Sequence, residues 1–524
     1  MRATRPVWFA LAVTAAACSP NQQGDGAARS AAAASSPQTC AELAALALPH
    51  TTIASVETVA PGAFRSPVPP GIQPADYSKL PAFCRVTGAI APSADSDIRF
   101  EVWLPEQGWN GRFMQTGNGG AAGTIVYDSL ADPLARGYAV ANTDTGHQGG
   151  VGDFAWATDH PEKLTDYQYR AVHELTVVGK AVTSARYGRN PDRSYWLGCS
   201  TGGRQGLKEA QRFPDDYDAI VAGAPANNWS ALMAFSILTQ RNLTGPKGLA
   251  PSKLGVLTKA AITACDARDG VADRVIGDGR ACTFDPAAAQ CTAGQSEGCL
   301  TPTETAAAKR IYSGVVTKSG EVLMPGTGPA SEALWGLYAS PQFSIGTNYF
   351  RNVVARDANW DPSAFDVDAD VARAEAQDAG AAKAMDPDLS AFVASGGKLL
   401  LYHGTADGLI PYGNTVNYYD SVVKKLGADA VRDHVALYLV PGMSHCAGGE
   451  GASDIDWIGA LERFDASGAR GSLAARHPIA PAGAFGGPTG TTPFTRPVCA
   501  YPQIAKYKGQ GDQADASNWD CAAP

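Results

Sequence analysis

No C-x-x-C pair occurs anywhere in the 524 residues, and the clustered cysteines lack ribbon or knuckle spacing, which sets zinc aside as their use. No run of lysine and arginine interleaved with aromatics is present either. With a formal net charge of −9 and a pI near 5.4, there is no basic face to neutralise phosphates, and nucleic acid is excluded as a partner. Histidine is scarce: only 8 residues could serve as a general base. The His173-Glu174 dipeptide has no second histidine at the H-E-x-x-H position, so a zinc protease reading fails. What is present is an ordinary globular composition, 45% apolar and 18% charged, enough for a sizeable core and unlike collagen or a disordered chain. The length allows two or three folded units, and two is the working expectation.

The N-terminus carries Arg2 and Arg5 ahead of an apolar stretch from Val7 to Ala17 that is too short to cross a bilayer, so residues 1–17 read as an export signal peptide. Cleavage after Ala15-Ala16-Ala17 leaves Cys18 at the new terminus, a candidate lipid anchor, with plain secretion as the alternative. Residues 18–39 are small and polar without periodicity and read as a flexible tether. Setting Cys18 aside leaves ten of the 11 cysteines, an even number in a chain bound for an oxidising compartment. Arithmetic cannot choose among the connectivities, although Cys265/Cys282 and Cys291/Cys299 are natural local pairs and Cys499/Cys521 resembles a C-terminal staple.

From Arg99 to Ala226, β-rich runs (FEVWL, RFMQT, YAVANT, SYWLG, AIVAGA) alternate with helical stretches such as YQYRAVHELTVVGKAVTSARYG. The same rhythm returns at KLLLY, around residues 414–426, and from Val435 to Val440. Such alternation predicts an α/β fold with a mostly parallel sheet covered by helices. Between the blocks, residues 227–384 show helix-like segments without strand alternation, which predicts an inserted lid over the C-terminal ends of the strands. The catalytic domain is then 40–226 together with 385–524.

The sharpest motif is Gly198-Cys199-Ser200-Thr201-Gly202-Gly203, preceded by the apolar Tyr195-Trp196-Leu197 and followed by the helix-like RQGLKEAQRF. Strand, sharp turn and helix are the context in which G-x-S-x-G lifts a serine Oγ out of a sheet. A serine needs a base whose tautomer is fixed by a carboxylate. His445 follows the run Ala436 to Val440, and Asp407 lies in the loop after Lys398 to Tyr402. The order Ser, Asp, His is that of an α/β-hydrolase. His403 is the rival base. For the oxyanion, the Thr201 amide and that of Gly119 or Gly120, in the loop after RFMQT, are the expected donors. That loop also fits G-x-G-x-x-A, a weak dinucleotide fingerprint with Asp144 as the ribose acid; a dinucleotide site, however, leaves the Ser, Asp and His set without purpose.

GCSTGG, MSHC and TADGLIP, with VVGKAVTSARYG and APANNW beside them, resemble the tannase and feruloyl esterase family from about Cys40 onward. The resemblance implies an α/β-hydrolase with an inserted lid, a Ser200-His445-Asp407 triad and an ester of a feruloyl, galloyl or terephthaloyl-type acid as small-molecule substrate. It also implies the pairings Cys199–Cys446, Cys40–Cys84, Cys265–Cys282, Cys291–Cys299 and Cys499–Cys521. A serine peptidase on the same fold and a non-catalytic surface lipoprotein are the competing functions.

In Cys265 to Val275, three carboxylates fall within eight residues and repel one another unless a hard cation or solvent compensates. The spacing is not that of an EF-hand, and a solvated acidic loop is the alternative. The family resemblance implies a structural Ca²⁺ held by Asp266, Asp269, Asp273 and the carbonyls of Val271 and Val275. Asp144, His147 and His160 read chiefly as solvated loop polars, Trp335 and Trp360 as lid core, and Arg351 and Arg356 as candidate partners for a substrate carboxylate.

Overall fold

Nine strands form the central sheet: β1 (Thr51–Val59), β2 (Phe83–Ile90), β3 (Ile98–Pro105), β4 (Arg112–Thr116), β5 (Ala139–Thr143), β6 (Arg193–Cys199), β7 (Ala219–Gly223), β8 (Lys398–Gly404) and β9 (Val435–Val440). The order is β1-β2-β3-β5-β4-β6-β7-β8-β9 in this computed structural model, which describes residues 36–68, 75–478 and 492–524. The first three strands run antiparallel, and β3 meets β5 antiparallel. From β5 onward every neighbouring pair is parallel. Strands β5 and β7 are buried along their whole length, as expected where helices cover both faces of a parallel sheet.

Helix Ala171–Tyr187 and helix Thr201–Arg212, which follows Ser200, pack beside these strands. The first is entered through a π-helical turn, Asp166–Arg170, and ends on Gly188 at φ 71°. The sequence reads this stretch as one helix because the wider turn leaves the apolar spacing almost unchanged.

Between β7 and β8 the chain contributes no strand to the central sheet. It forms helices, among them Trp229–Thr244, Leu254–Cys265, Pro302–Ser313 and Val367–Asp378, and a small hairpin, Val315–Val316 with Val322–Met324. The hairpin was not anticipated; strands of two and three residues are too short to show alternation. This segment shares a core that includes Trp229, Phe235, Leu257, Trp335, Tyr349 and Phe350, and Trp360 packs at its edge as expected. Also unanticipated were β1, β2 and a C-terminal three-stranded sheet, Asp454–Ile455, Leu473–Arg476 and Thr495–Val498.

The described residues belong to one compact unit, Ser36–Pro524. The expected signal peptide, Cys18 and the expected tether up to residue 35 lie outside them. All five expected disulfides are formed: Cys40–Cys84, Cys199–Cys446, Cys265–Cys282, Cys291–Cys299 and Cys499–Cys521. Five such bonds fit an oxidising, extracytoplasmic compartment. Among the described residues, no helix is long and apolar enough to cross a membrane.

Candidate active site

Strand β6 ends at Cys199, and the next residue, Ser200, adopts φ 63°, ψ −121°, a conformation that L-residues rarely take. Backbone bonds hold it there. The Ser200 amide donates to Gly223 O at 2.9 Å, and its carbonyl accepts from the Arg204 and Ala226 amides at 3.0 and 3.1 Å. The flanking glycines are required by close approach: a Cβ on Gly198 would lie 2.5 Å from Gly202 O, and one on Gly203 would lie 2.3 Å from Gly223 O. Sequence thus dictates the turn, and the turn places Oγ at the N-terminus of helix Thr201–Arg212. Among the described residues, Ser200 Oγ has no hydrogen-bond partner.

The loops after β8 and β9 are laced together. The Ala406 amide donates to Met443 O, and the Gly442 amide donates to Thr405 Oγ1, both at 3.0 Å. Gly404 ends β8 so close to the second loop that a Cβ would lie 2.2 Å from Met443 O. Across this junction, His445 Nδ1 stands 2.7 Å from Asp407 Oδ2. Asp407 is fully buried and accepts two further bonds, from the Leu409 and Ile410 amides, at 2.8 and 2.9 Å. Burial alone would push the carboxyl up, but the imidazoles of His445 and His403 outweigh it and hold the group well below the usual carboxylate range.

His403 shares the acid rather than competing for the serine. Its Nε2 lies 3.2 Å from Asp407 Oδ2 and 2.9 Å from Ile410 O, its Nδ1 lies 2.8 Å from Thr415 Oγ1, and the residue is wholly buried. Both ring nitrogens are engaged away from solvent. Ser200 and His445 flank the Cys199–Cys446 bond, whose Cα atoms are 6.0 Å apart although 247 residues separate them in sequence.

The glycine loop after β4 is fixed against the nucleophile helix by a pair that sequence reasoning missed. Asn118 N donates to Gln205 Oε1 at 3.0 Å, and Gln205 Nε2 donates back to Asn118 Oδ1 at 3.1 Å. The Gly202 amide donates to Asn118 O, and Thr201 Oγ1 donates to Gly120 O at 2.6 Å. The amides of Gly119 and Gly120 make no hydrogen bond among the described residues, and nothing stands within 4 Å of a Cβ built on Gly119. Gly120 O also accepts from Tyr167 OH at 3.1 Å, which joins the loop to an aromatic cluster of Phe154, Trp156, Tyr167, Trp229 and Tyr349.

Asp144 is buried, and its Oδ1 accepts from the amides of Arg99 and Gly146, so it braces the strand end rather than standing ready for a ribose. Burial, beyond what those two bonds recover, raises its carboxyl to about 7. His147 is buried against Trp156, with ring centroids 3.6 Å apart, and burial lowers it to about 4. His160 pairs with Asp95 in a half-exposed position. Arg351 is half-buried, and Arg356 lies at the surface.

In the Asp-rich turn, Asp266 accepts from the Asp273 and Arg274 amides, Asp269 from Val271 N and Asp273 from Val275 N. Arg496 Nη2 meets Asp273 Oδ2 at 2.5 Å and offsets one of the three negative charges. Asp269 is raised to about 6 by burial, with Asp273 and Asp266 adding repulsion. Gly277 leaves room for Asp269, whose Oδ2 a Cβ there would meet at 2.3 Å. An all-oxygen donor set with uncompensated negative charge fits a hard divalent cation.

The strand order, with a serine at the strained turn leaving a central parallel strand, defines an α/β-hydrolase. The comparisons narrow the class to a carboxylic ester hydrolase. The family model for tannase and feruloyl esterase matches residues 84–522, and the chain belongs to that family. An uncharacterized esterase of Xanthomonas campestris pv. campestris is 36% identical over 93% of this chain and 92% of its own length. A probable feruloyl esterase B-2 of Aspergillus terreus is 35% identical over 84% of this chain and 86% of its own. The crystal structure of feruloyl esterase B from Aspergillus oryzae superposes with a TM-score of 0.83 at 30% identity, covering 92% of this chain and 99% of that one.

Proposed function

We propose that this chain is an exported serine esterase for esters of aromatic acids, with Ser200 as nucleophile, His445 as general base and Asp407 as the acid that orients it. The observation that carries the reading is the 2.7 Å contact from His445 Nδ1 to buried Asp407, tied by the Cys199–Cys446 bond to a serine at φ 63°. Asp407 fixes the proton of His445 on Nδ1 and leaves Nε2 to accept the Ser200 proton. The Oγ–Nε2 contact closes when substrate binds, since such bonds are commonly loose in the free enzyme. Ser200 Oγ attacks the ester carbonyl, and the oxyanion takes hydrogen bonds from Thr201 N and from Gly119 or Gly120 N. His445 then hands its proton to the leaving alcohol. Water, deprotonated by the same histidine, releases the acid from the acyl-enzyme.

The aromatic acyl group is supported by the relatives named feruloyl esterase. The insertion, placed between β7 and β8, acts as the lid in this reading. The acidic turn within it is assigned a structural Ca²⁺ held by Asp266, Asp269, Asp273 and the carbonyls of Val271 and Val275; the ion would supply charge neutralisation and no chemistry. Arg351 is the lid cation offered to a carboxylate-bearing substrate. Export rests on the N-terminal charge and apolar pattern and on the five disulfides, with Cys18 as a lipid attachment point.

A panel of aromatic methyl and hydroxyethyl esters, with aliphatic esters and an anilide as controls, tests the assignment. Turnover of the aromatic esters above the controls is expected. Faster cleavage of the anilide would replace the esterase reading with a peptidase one. Loss of p-nitrophenyl acetate hydrolysis in Ser200→Ala separates a catalyst from a binding lipoprotein.

A further inference from the structure

The His173-Glu174 dipeptide does not make a zinc protease, because the helix supplies no second histidine one turn on. Its histidine finds partners on other elements. His173, on helix Ala171–Tyr187, Glu209, on helix Thr201–Arg212, and Asp216, in the loop that follows, bring one donor atom each to within 4.8 Å of one another. His173 Nδ1 and Asp216 Oδ2 are 2.6 Å apart, and the imidazole lies flat on Phe213, with ring centroids 3.8 Å apart and planes 8° from parallel. The ring is therefore held in place with its nitrogen directed at the cluster.

Glu209 is the unusual member. It is 1% exposed, and neither carboxylate oxygen has a hydrogen-bond partner. A buried carboxyl that no donor reaches is costly, and native structures almost always compensate one. Glu209 also lies in the last turn of its helix, where the carbonyl ends repel a carboxylate and favour a cation. Lys180 provides one positive charge nearby, through a bond from Nζ to the Asp216 main-chain carbonyl. Arg212 adds a second positive charge to that of Lys180, and still no donor reaches the Glu209 oxygens.

We propose that His173, Glu209 and Asp216 form a second metal site, for a borderline divalent cation of the zinc type, which clamps the nucleophile-bearing helix to the helix before it. One imidazole nitrogen and two carboxylate oxygens, with no thiolate, suit Zn²⁺, and water on the partly exposed His173 side would complete a four-coordinate shell. Binding replaces the His173–Asp216 hydrogen bond: the imidazole proton moves from Nδ1 to Nε2 on the partly exposed side, and the Nδ1 electron pair goes to the metal. Glu209 follows Ser200 by nine residues, about 13 Å along the helix axis, so the ion takes no part in acyl transfer.

The test is calorimetric titration of the chelator-stripped full chain with Zn²⁺ in buffer holding excess Ca²⁺, which keeps the acidic turn out of the measurement. Wild type should bind about one equivalent and melt several degrees higher. Glu209→Gln and His173→Phe should each weaken binding at least ~10-fold and lose the melting shift, while retaining ester turnover. His173 is partly exposed, so its variant tests the site even where Glu209→Gln fails to fold. Absence of Zn²⁺ binding by wild type, or equal binding by wild type and a folded variant, overturns the proposal. So does a Glu209→Gln protein that melts above wild type when neither takes up metal; that result marks a proton shared between the two carboxyls. Ester turnover is measured separately, so failure of the metal site leaves the esterase reading untouched.

Discussion

The strand-end loops that carry Ser200, Asp407 and His445 and the segment inserted between β7 and β8 are held by opposite means. At the strand ends, one disulfide joins residues 247 apart, and Asp407 is bonded by its own loop and by two histidines. In the insertion, two disulfides close spans of 17 and 8 residues, and the acidic turn satisfies its carboxylates mainly from amides no more than eight residues away, with Arg496 on Asp273 and the Arg274–Glu450 pair as its distant ties. Loop-closure entropy ranks the bonds accordingly: about 5 kcal/mol for the long span against about 3 and about 2.5 kcal/mol for the short ones. On the proposed function, long-range fixation would set the geometry of the reacting groups, whereas short-range fixation would stiffen the inserted segment.

The largest effect belongs to the proposed triad. Ser200→Ala and His445→Ala should each lower kcat by about 10⁴-fold or more, with the melting temperature little changed, because members of one catalytic unit fail together. His403→Gln touches the same carboxylate from the buried side and should cost far less. Steady-state kinetics on a p-nitrophenyl ester, with circular dichroism of each variant, compare them. A His403 variant as inactive as His445→Ala would mean that Asp407 serves the wrong histidine in this reading.

Next come the disulfides. Replacing Cys199 and Cys446 by alanine should lower activity per folded molecule by about 100-fold, since a displacement of about 1 Å between reacting groups has that consequence. Replacing Cys291 and Cys299 should lower the melting temperature and leave kcat unaltered. Equal kcat losses in the two double variants would erase the distinction between the regions.

Much of the strand-end site was legible in the sequence because each of its parts is local. The apolar run Tyr195-Trp196-Leu197 followed by small residues predicts a turn at Ser200, and the runs before Asp407 and His445 place both residues in loops after parallel strands. What the sequence hides is pairing between side chains on separate elements. Asn118 and Gln205 are 87 residues apart and lock the glycine loop, yet neither belongs to a periodic pattern. His403 looked like a competitor of His445 because it ends one strand while His445 follows another; only packing shows that Asp407 bonds both. The Cys199–Cys446 bond was implied by family resemblance and not by cysteine arithmetic, which leaves all connectivities open.

Asp144 sharpens the comparison in a different way, since it is buried at the end of β5 without the imidazole partners that Asp407 has. Its carboxyl is raised to about 7, above the value near 4 expected in the unfolded chain. The sign follows: between these values the unfolded state has lost its proton while the folded state keeps it, so stability falls as pH rises from about 4 to about 7. Asp144→Asn keeps the acceptor for Arg99 N and Gly146 N and removes the charge. The variant should be more stable than wild type by about 2 kcal/mol at pH 8 and indistinguishable from it at pH 4. Urea unfolding at the two pH values reads the difference, and a constant offset would show that the charge is not the cause.

The smallest effect should come from the acidic turn of the insertion, where a bound Ca²⁺ would act only on its own surroundings. The three carboxylates there retain uncompensated charge after Arg496 has paired with Asp273, and burial with mutual repulsion raises Asp269. Chelation should therefore lower the melting temperature by about 1–3 °C, and Asp269→Ala should lower it by a similar amount and abolish the response to chelator. Because the ion lies in the locally fixed region, kcat on a small ester should stay the same in both cases. Purified protein without calcium by elemental analysis, together with a melting temperature that chelator does not move, removes the ion from the account. A fall in kcat that tracks calcium loss would instead show that the insertion's short-range fixation reaches Ser200, and the two regions would then be one mechanical unit.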